Sequence, residues 1–246
     1  MPFTLAHPAA VIYLKNKRFN FTALILGSMA PDFLYFINFR PYGHFGHEFL
    51  GMFLLNLPLC FLLAYLFHNV IKSNLISHLP RPFDSWYGYL RTEKFMIHSW
   101  NDVWVFTYSS LFGMITHILW DGFTHSSGFF VSNISYLSRK VFLMGNHEVY
   151  VYKIIQHGST IIGGIIVLIA LYMLRDKRKR ILWGHKKFYE KLIYDLIVLG
   201  VIGFTIAISY FLFLKLNITY GIGTLVISII NGFFIGVLIL GFFKER

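Results

Sequence analysis

The chain has 246 residues, 56% hydrophobic and 13% charged, against about 45–50% apolar and about 25% charged in soluble domains. With 19% aromatics, that gap excludes an ordinary soluble globule, a disordered tail and a coiled coil. The net charge of +11 reads as the basic cytoplasmic face of a membrane protein, with no nucleic-acid partner expected, and the single cysteine, Cys60, excludes an intramolecular disulfide and a thiolate cluster.

In chain order, the first apolar region runs from Phe3 to Phe39 and is interrupted by Lys15, Lys17 and Arg18. Ala6 to Leu14 and Phe21 to Met29 are each half a span at about 1.5 Å per residue. Folded as a helical hairpin, they bring His7 level with Asp32. The alternative is a sixth span from Phe19 to Phe39. The basic cluster follows the first apolar run, so no secretory signal peptide is expected.

Five further segments reach the roughly 20 apolar residues a crossing helix needs: Phe49 to Ile71, Val103 to Phe123, Ile154 to Leu174, Leu192 to Leu214 and Ile218 to Phe243. The expected fold is all-α: a polytopic helical membrane protein with five full spans plus the N-terminal hairpin or sixth span. The organisation reads as a membrane-embedded metal-site domain at 1–174, a basic cytoplasmic loop at 175–191 and a C-terminal two-helix hairpin at 192–246.

Loop charges set the orientation. Eight Lys and Arg lie between Arg175 and Lys191, and threading the chain from that loop puts seventeen on its side and five on the other. Segments 40–48 and 124–153 then face outward. The expected location is the bacterial inner membrane.

The ionisable residues gather on that outward side, although only Lys and Arg set the orientation. Asp32 ends the hairpin. His44, His47 and Glu48 precede the first full span. His117 and Asp121 sit at the outward end of the second, His125 follows, and His157 opens the third. Charged groups in membrane segments are costly and mark polar interior sites. Helical neighbours at i,i+4 lie about 5–6 Å apart, so His117 and Asp121 can chelate one ion. Asp121 and His125 repeat the step, which lets Asp121 bridge two. Bridged metals about 3.5–4 Å apart are a hydrolytic arrangement. His44 and His47 add an i,i+3 pair. Imidazole with carboxylate suits Zn, Mn or Fe, and Zn2+ is the default, with two ions possible.

Other residues carry blander readings. A buried Asp–His pair also serves proton relays. His68, His78, His98 and His185 fall toward the cytoplasmic side as solvated or interfacial groups, and His147 reads as surface. Asn56 and Pro58 mark a kink or a polar pocket within a span. No nucleophile elbow, phosphate loop or dinucleotide fingerprint is present.

Pro2-Phe3-Thr4-Leu5-Ala6-His7-Pro8-Ala9-Ala10, Gly27-Ser28-Met29-Ala30-Pro31-Asp32, Thr116-His117-Ile118-Leu119-Trp120-Asp121-Gly122-Phe123-Thr124-His125 and Gln156-His157-Gly158-Ser159 together resemble a bacterial family of small membrane proteins labelled only as domain of unknown function 4184. The resemblance covers roughly Met1 to Leu174. The motif order is also similar to the inner-membrane metal-dependent hydrolases and, more remotely, to zinc-dependent phospholipase C, an all-helical fold with His and Asp metal ligands. That likeness implies ligand roles for His7, Asp32, His44 or His47, His117, Asp121, and His125 or His157. The sequence departs from it at Gly43-His44-Phe45-Gly46-His47-Glu48 and lacks the late His-Xaa-Xaa-Xaa-Glu of the soluble phospholipases. The expectation is a hydrolase acting on membrane lipids or lipid-linked phosphoesters at the outer face, with Asp32 and Asp121 as catalytic groups. Its rivals are a metal or proton transporter and a protein using metal as a structural staple.

Overall fold

The computed structural model describes residues 3–15, 18–143, 147–176 and 186–243. Among the described residues, five helices are long and apolar enough to cross a membrane. In chain order the helices that matter for the site and its surroundings are α1, Phe21–Met29; α2, Phe49–His78; α3, Trp100–Thr124; α4, Val151–Met173; α5, Phe188–Lys215; and α6, Ile222–Phe242. The membrane-spanning helices follow from long apolar runs, and polar residues set the starts of α1 and α3. Asn20 Oδ1 accepts from the Ala23 amide to start α1. Ser99 and Asp102 form a reciprocal capping box that starts α3.

The N-terminal region is not a sixth span. A 3-10 helix, Thr4–Ala10, packs against α1 and α4. The apolar stretch Phe21–Ile37 falls short of a span and tightens into a 3-10 turn at Ala30–Asp32. The α1–α3 crossing is close because two glycines face it. A Cβ on Gly27 would stand 2.1 Å from the Ser110 carbonyl oxygen, and one on Gly113 would stand 2.6 Å from that of Leu24. Helix α2 carries π-helical stretches at Met52–Asn56 and Phe67–Ile71.

One departure from an all-helical chain is an antiparallel hairpin of β1, Lys140–Leu143, and β2, His147–Tyr150, with Val141 opposite Val149. Lys140 Nζ donates to Glu148 Oε2 at 2.8 Å, and that carboxylate holds the exposed ammonium above the ordinary lysine value. The hairpin leads into a small apolar core of Val131, Leu137, Val151 and Tyr152.

Two compact units divide the chain, and they do not follow it in order. The first comprises Met1–Asp32, Phe45–Phe61 and Ile97–Met173. The second comprises Phe33–His44, Leu62–Met96 and Leu174–Arg246. Residues 33–44 and 62–96 thus group with the last two helices. Within the second unit, α5 and α6 pack along their length, and Ile71, Tyr194, Val198 and Val237 form a core. His78 packs against a member of this core: it is buried rather than solvated, its ring stacks on Tyr194 at 4.3 Å, and its Nδ1 lies 2.9 Å from the Asn74 carbonyl. A planar ring with one polar edge satisfied packs as an apolar plate. His98 is exposed, whereas His185 and most of the basic 175–191 loop lie outside the described residues.

Candidate metal centre

The site lies wholly within the first unit. Helix α3 places His117 and Asp121 one turn apart on a buried face. The fully buried His117 directs Nδ1 at the Ser28 carbonyl of α1, 2.7 Å away. A carbonyl only accepts, so Nδ1 carries the proton and Nε2 keeps its lone pair for a ligand. Asp32 follows α1 in the 3-10 turn and is also fully buried. Thr4 Oγ1 donates to its Oδ2 at 2.6 Å, which leaves Oδ1 pointing at the histidines.

His47 ends a 3-10 turn, Phe45–His47, just before α2. That turn is held by Asn56, whose Nδ2 donates to the Gly46 carbonyl at 2.7 Å from the end of the first π-helical stretch. Such bulges often mark functional sites because they turn one side chain out of the regular helical order. His7 arrives on the N-terminal 3-10 helix and stacks on His117 with ring centroids 3.7 Å apart.

Imidazole nitrogens and carboxylate oxygens alternate around a closed ring. His117 Nε2 lies 3.6 Å from Asp32 Oδ1 and 3.4 Å from Asp121 Oδ2. His47 Nε2 lies 3.6 Å from each of the same two oxygens. One ligand atom from each of these four residues falls within 4.8 Å of all the others. The second oxygen of Asp121 faces two more histidines: Oδ1 is 3.7 Å from His7 Nε2 and 3.6 Å from His125 Nδ1.

These separations decide the chemistry. They exceed the 2.7–3.2 Å of a hydrogen bond. They match the edge, about 3.4 Å, of a tetrahedron whose ligands stand at the 2.0–2.2 Å of zinc–nitrogen and zinc–oxygen bonds. Among the described residues, His7 Nε2, Asp32 Oδ1, His117 Nε2, Asp121 Oδ1 and His125 Nε2 are buried atoms with no hydrogen-bond partner. A buried polar atom left unpaired costs about 1–3 kcal/mol. All of these but His125 Nε2 face one another at the carboxylate pair, and together they describe a cage that a cation would complete.

Of the eight residues expected from sequence, the structure brings six together: His7, Asp32, His47, His117, Asp121 and His125. His44 is exposed and falls in the second unit, and His157 is exposed on α4. Between His44 and His47, the one that reaches the carboxylates is therefore His47. The side chain of His147 lies outside the described residues. The sequence reading missed three supporting groups: Thr4, the Ser28 carbonyl and the role of Asn56. Thr4 carried a positional signal, three residues before His7 in a 3-10 helix, where i and i+3 share a face. Asn56 was singled out as a polar residue inside a span, but its partner was not readable.

A family described as a domain of unknown function, DUF4184, matches residues 1–242. The chain belongs to this family. No curated protein and no solved structure matches it. The DUF4184 description carries no activity, so the chemistry of this member rests on the cage itself.

Proposed function

We propose that this DUF4184 chain is a membrane-embedded, metal-dependent hydrolase that cleaves a lipid or lipid-linked phosphoester with a metal-activated water. The observation that carries this reading is the gathering of four unpartnered buried polar atoms, His7 Nε2, Asp32 Oδ1, His117 Nε2 and Asp121 Oδ1, at Asp32 and Asp121. Asp32, His47, His117 and Asp121 suit Zn2+, which accepts mixed imidazole and carboxylate donors. His7, whose Nε2 lies beside the other oxygen of Asp121, would be a donor to a second ion, whereas His125 keeps its Nδ1 on the Asp121 carbonyl at 3.1 Å and would have only Nε2 to offer. The resemblance of the motif order to inner-membrane metal-dependent hydrolases points the same way, as does the more distant likeness to zinc-dependent phospholipase C.

When bound, the metal lowers the pKa of water from ~15.7 toward about 7 and polarises the ester oxygen. The protein's own groups position the reaction. The carboxylates of Asp32 and Asp121 accept hydrogen bonds from the attacking water and set its direction. Thr4 keeps Asp32 from turning away, and the Ser28 carbonyl fixes the His117 tautomer. With a single ion bound, His7 Nε2 is placed to take the proton of the water and return it to the leaving alkoxide. The loop charges support a location for this chemistry at the outer face of a bacterial inner membrane, where lipid head groups would be at hand. His44 and His157, both exposed, receive no ligand role.

His117→Ala and Asp121→Ala are each expected to lose bound zinc while retaining helical content, with elemental analysis of detergent-purified protein as the readout. Head-group or phosphate release from a lipid panel should be blocked by a chelator and absent from both variants. Full metal content in both variants would overturn the site. Metal flux into proteoliposomes without turnover would make the protein a transporter, and stoichiometric metal without turnover on any lipid would make the metal a staple.

A further inference from the structure

The first unit also carries an apolar groove of about 430 Å³ between the Thr4–Ala10 helix and α4. That volume lies within the roughly 300–1,000 Å³ of small-molecule sites. Ala9 and Ala10 line one side, Ile155 and Ile162 the other, and Trp120 of α3 also contributes. Among the described residues the groove has no charged lining, and its one imidazole is His7.

His7 ties the groove to the metal cage. The same side chain lines the groove and places Nε2 3.7 Å from Asp121 Oδ1. Helix α4 is a candidate span whose outer residues, including Ile161, Ile162 and Ile165, are exposed hydrocarbon. In a bilayer the neighbouring solvent of such a face is acyl chain. Water has too few polar partners in an apolar groove to occupy it well. Two glycines show how the space is held. A Cβ on Gly163 would stand 2.9 Å from the Ala6 carbonyl oxygen, so that position keeps α4 close to the N-terminal helix. A Cβ on Gly158 would meet nothing within 4 Å, so the space beside it is open.

We propose that this groove binds one acyl chain of a membrane lipid, so that the polar end of that lipid lies at the His7 edge of the cage. Occupancy of the groove stands by itself, while its role in presenting an ester for hydrolysis rests on the function proposed above.

The test uses the full-length protein in phosphatidylglycerol–phosphatidylcholine vesicles containing a phospholipid with a photoreactive diazirine on its acyl chain. Cross-links are mapped by mass spectrometry and zinc is measured on the same samples. Label is expected to concentrate on the peptides holding Ala9–Ala10 and Ile155–Ile162, above that on Ile229 of the exposed α6 surface. Gly158→Leu, whose side chain would fill the groove, should reduce label at Ala9–Ala10 at least several-fold and leave label at Ile229 and zinc content unchanged. If that variant does not fold, Ile162→Trp serves instead, because Ile162 is largely exposed at the groove wall. Label at Ala9–Ala10 no greater than at Ile229, or unaffected by filling the groove, would mean surrounding lipid only and overturn the proposal. So would a cross-link showing a second copy of the chain seated in the groove. A labelled groove in protein that holds no zinc would leave the groove standing and remove the hydrolase reading. An unlabelled groove beside a full cage would do the reverse.

Discussion

In the second unit Lys191 Nζ stands 2.5 Å from Asp84 Oδ2 and 2.6 Å from the Leu79 carbonyl, and Ser209 Oγ stands 2.9 Å from Ser228 Oγ. In the first unit the contacts between the cage's carboxylates and imidazoles run from 3.4 to 3.7 Å. Asp84, Lys191, Ser209 and Ser228 are buried, as are Asp32, His117 and Asp121, and an unmet buried polar group is expensive. The Lys191–Asp84 pair and the Ser209–Ser228 pair meet that demand with their own donors and acceptors at hydrogen-bonding distance. The cage holds its outward edges with Thr4 and Ser28 and leaves its inner edges apart. Burial of polar groups alone does not mark a site; burial at coordination distance, with the remaining atoms unpartnered, does.

The largest expected effect lies in the finished cluster. Asp84→Ala would strand the Lys191 ammonium, whose side chain is only 10% exposed, with a carbonyl as its remaining named partner. Removing one member of a buried ion pair costs about 3–5 kcal/mol. The unfolding midpoint in detergent should fall accordingly, with zinc content unchanged. Loss of zinc from this variant would mean that the two polar clusters depend on each other, and the contrast between them would fail.

How much of this was legible in the sequence follows the range of each interaction. The spans were readable because length and apolarity are local properties. His117 and Asp121 were readable as a pair because the helix repeat puts i and i+4 on one face without help from the rest of the chain. The choice between His44 and His47 was not readable. It depends on a 3-10 turn anchored by Asn56 across a π-helical stretch, and no local rule foretells that contact. The burial of His78, read as solvated or interfacial, was not legible for the same reason, since the ring that covers it belongs to Tyr194, far along the chain. The β1–β2 hairpin escaped notice because two four-residue strands carry too little alternation to stand out. Thr4 lay inside a recognised motif, yet its role appears only once the N-terminal helix is laid beside Asp32.

Thr4 offers the next test of the contrast. Its hydroxyl meets the ring only through Asp32, so under the proposed metal reading it is a positioning residue. Losing such a support lowers metal affinity by about 10–100-fold. Thr4→Ala should weaken zinc binding by that factor in a chelator-competition titration, and Thr4→Ser should restore it because the hydroxyl is retained. Equal affinity in both variants would show that Asp32 needs no anchoring and that the cage is shaped by helix packing alone.

The smallest effect is expected at Ser209, and it asks whether the second unit is as self-sufficient as its distances imply. Ser209 Oγ bonds the Ile206 carbonyl at 3.0 Å and also meets Tyr220 Oη at 3.1 Å and Ser228 Oγ at 2.9 Å. After Ser209→Ala, Ser228 Oγ still donates to the Thr224 carbonyl at 2.9 Å, and Tyr220 Oη still donates to Ser228 at 3.2 Å. No buried hydroxyl is left stranded, so the loss should be about 1 kcal/mol, the net worth of an ordinary hydrogen bond. Urea unfolding in detergent would read it as a shifted midpoint with an unchanged slope. A loss of several kcal/mol would mean that the α5–α6 seam hangs on one hydroxyl. The second unit would then be as incomplete as the first, and interatomic spacing would no longer separate a structural polar cluster from one built for a guest.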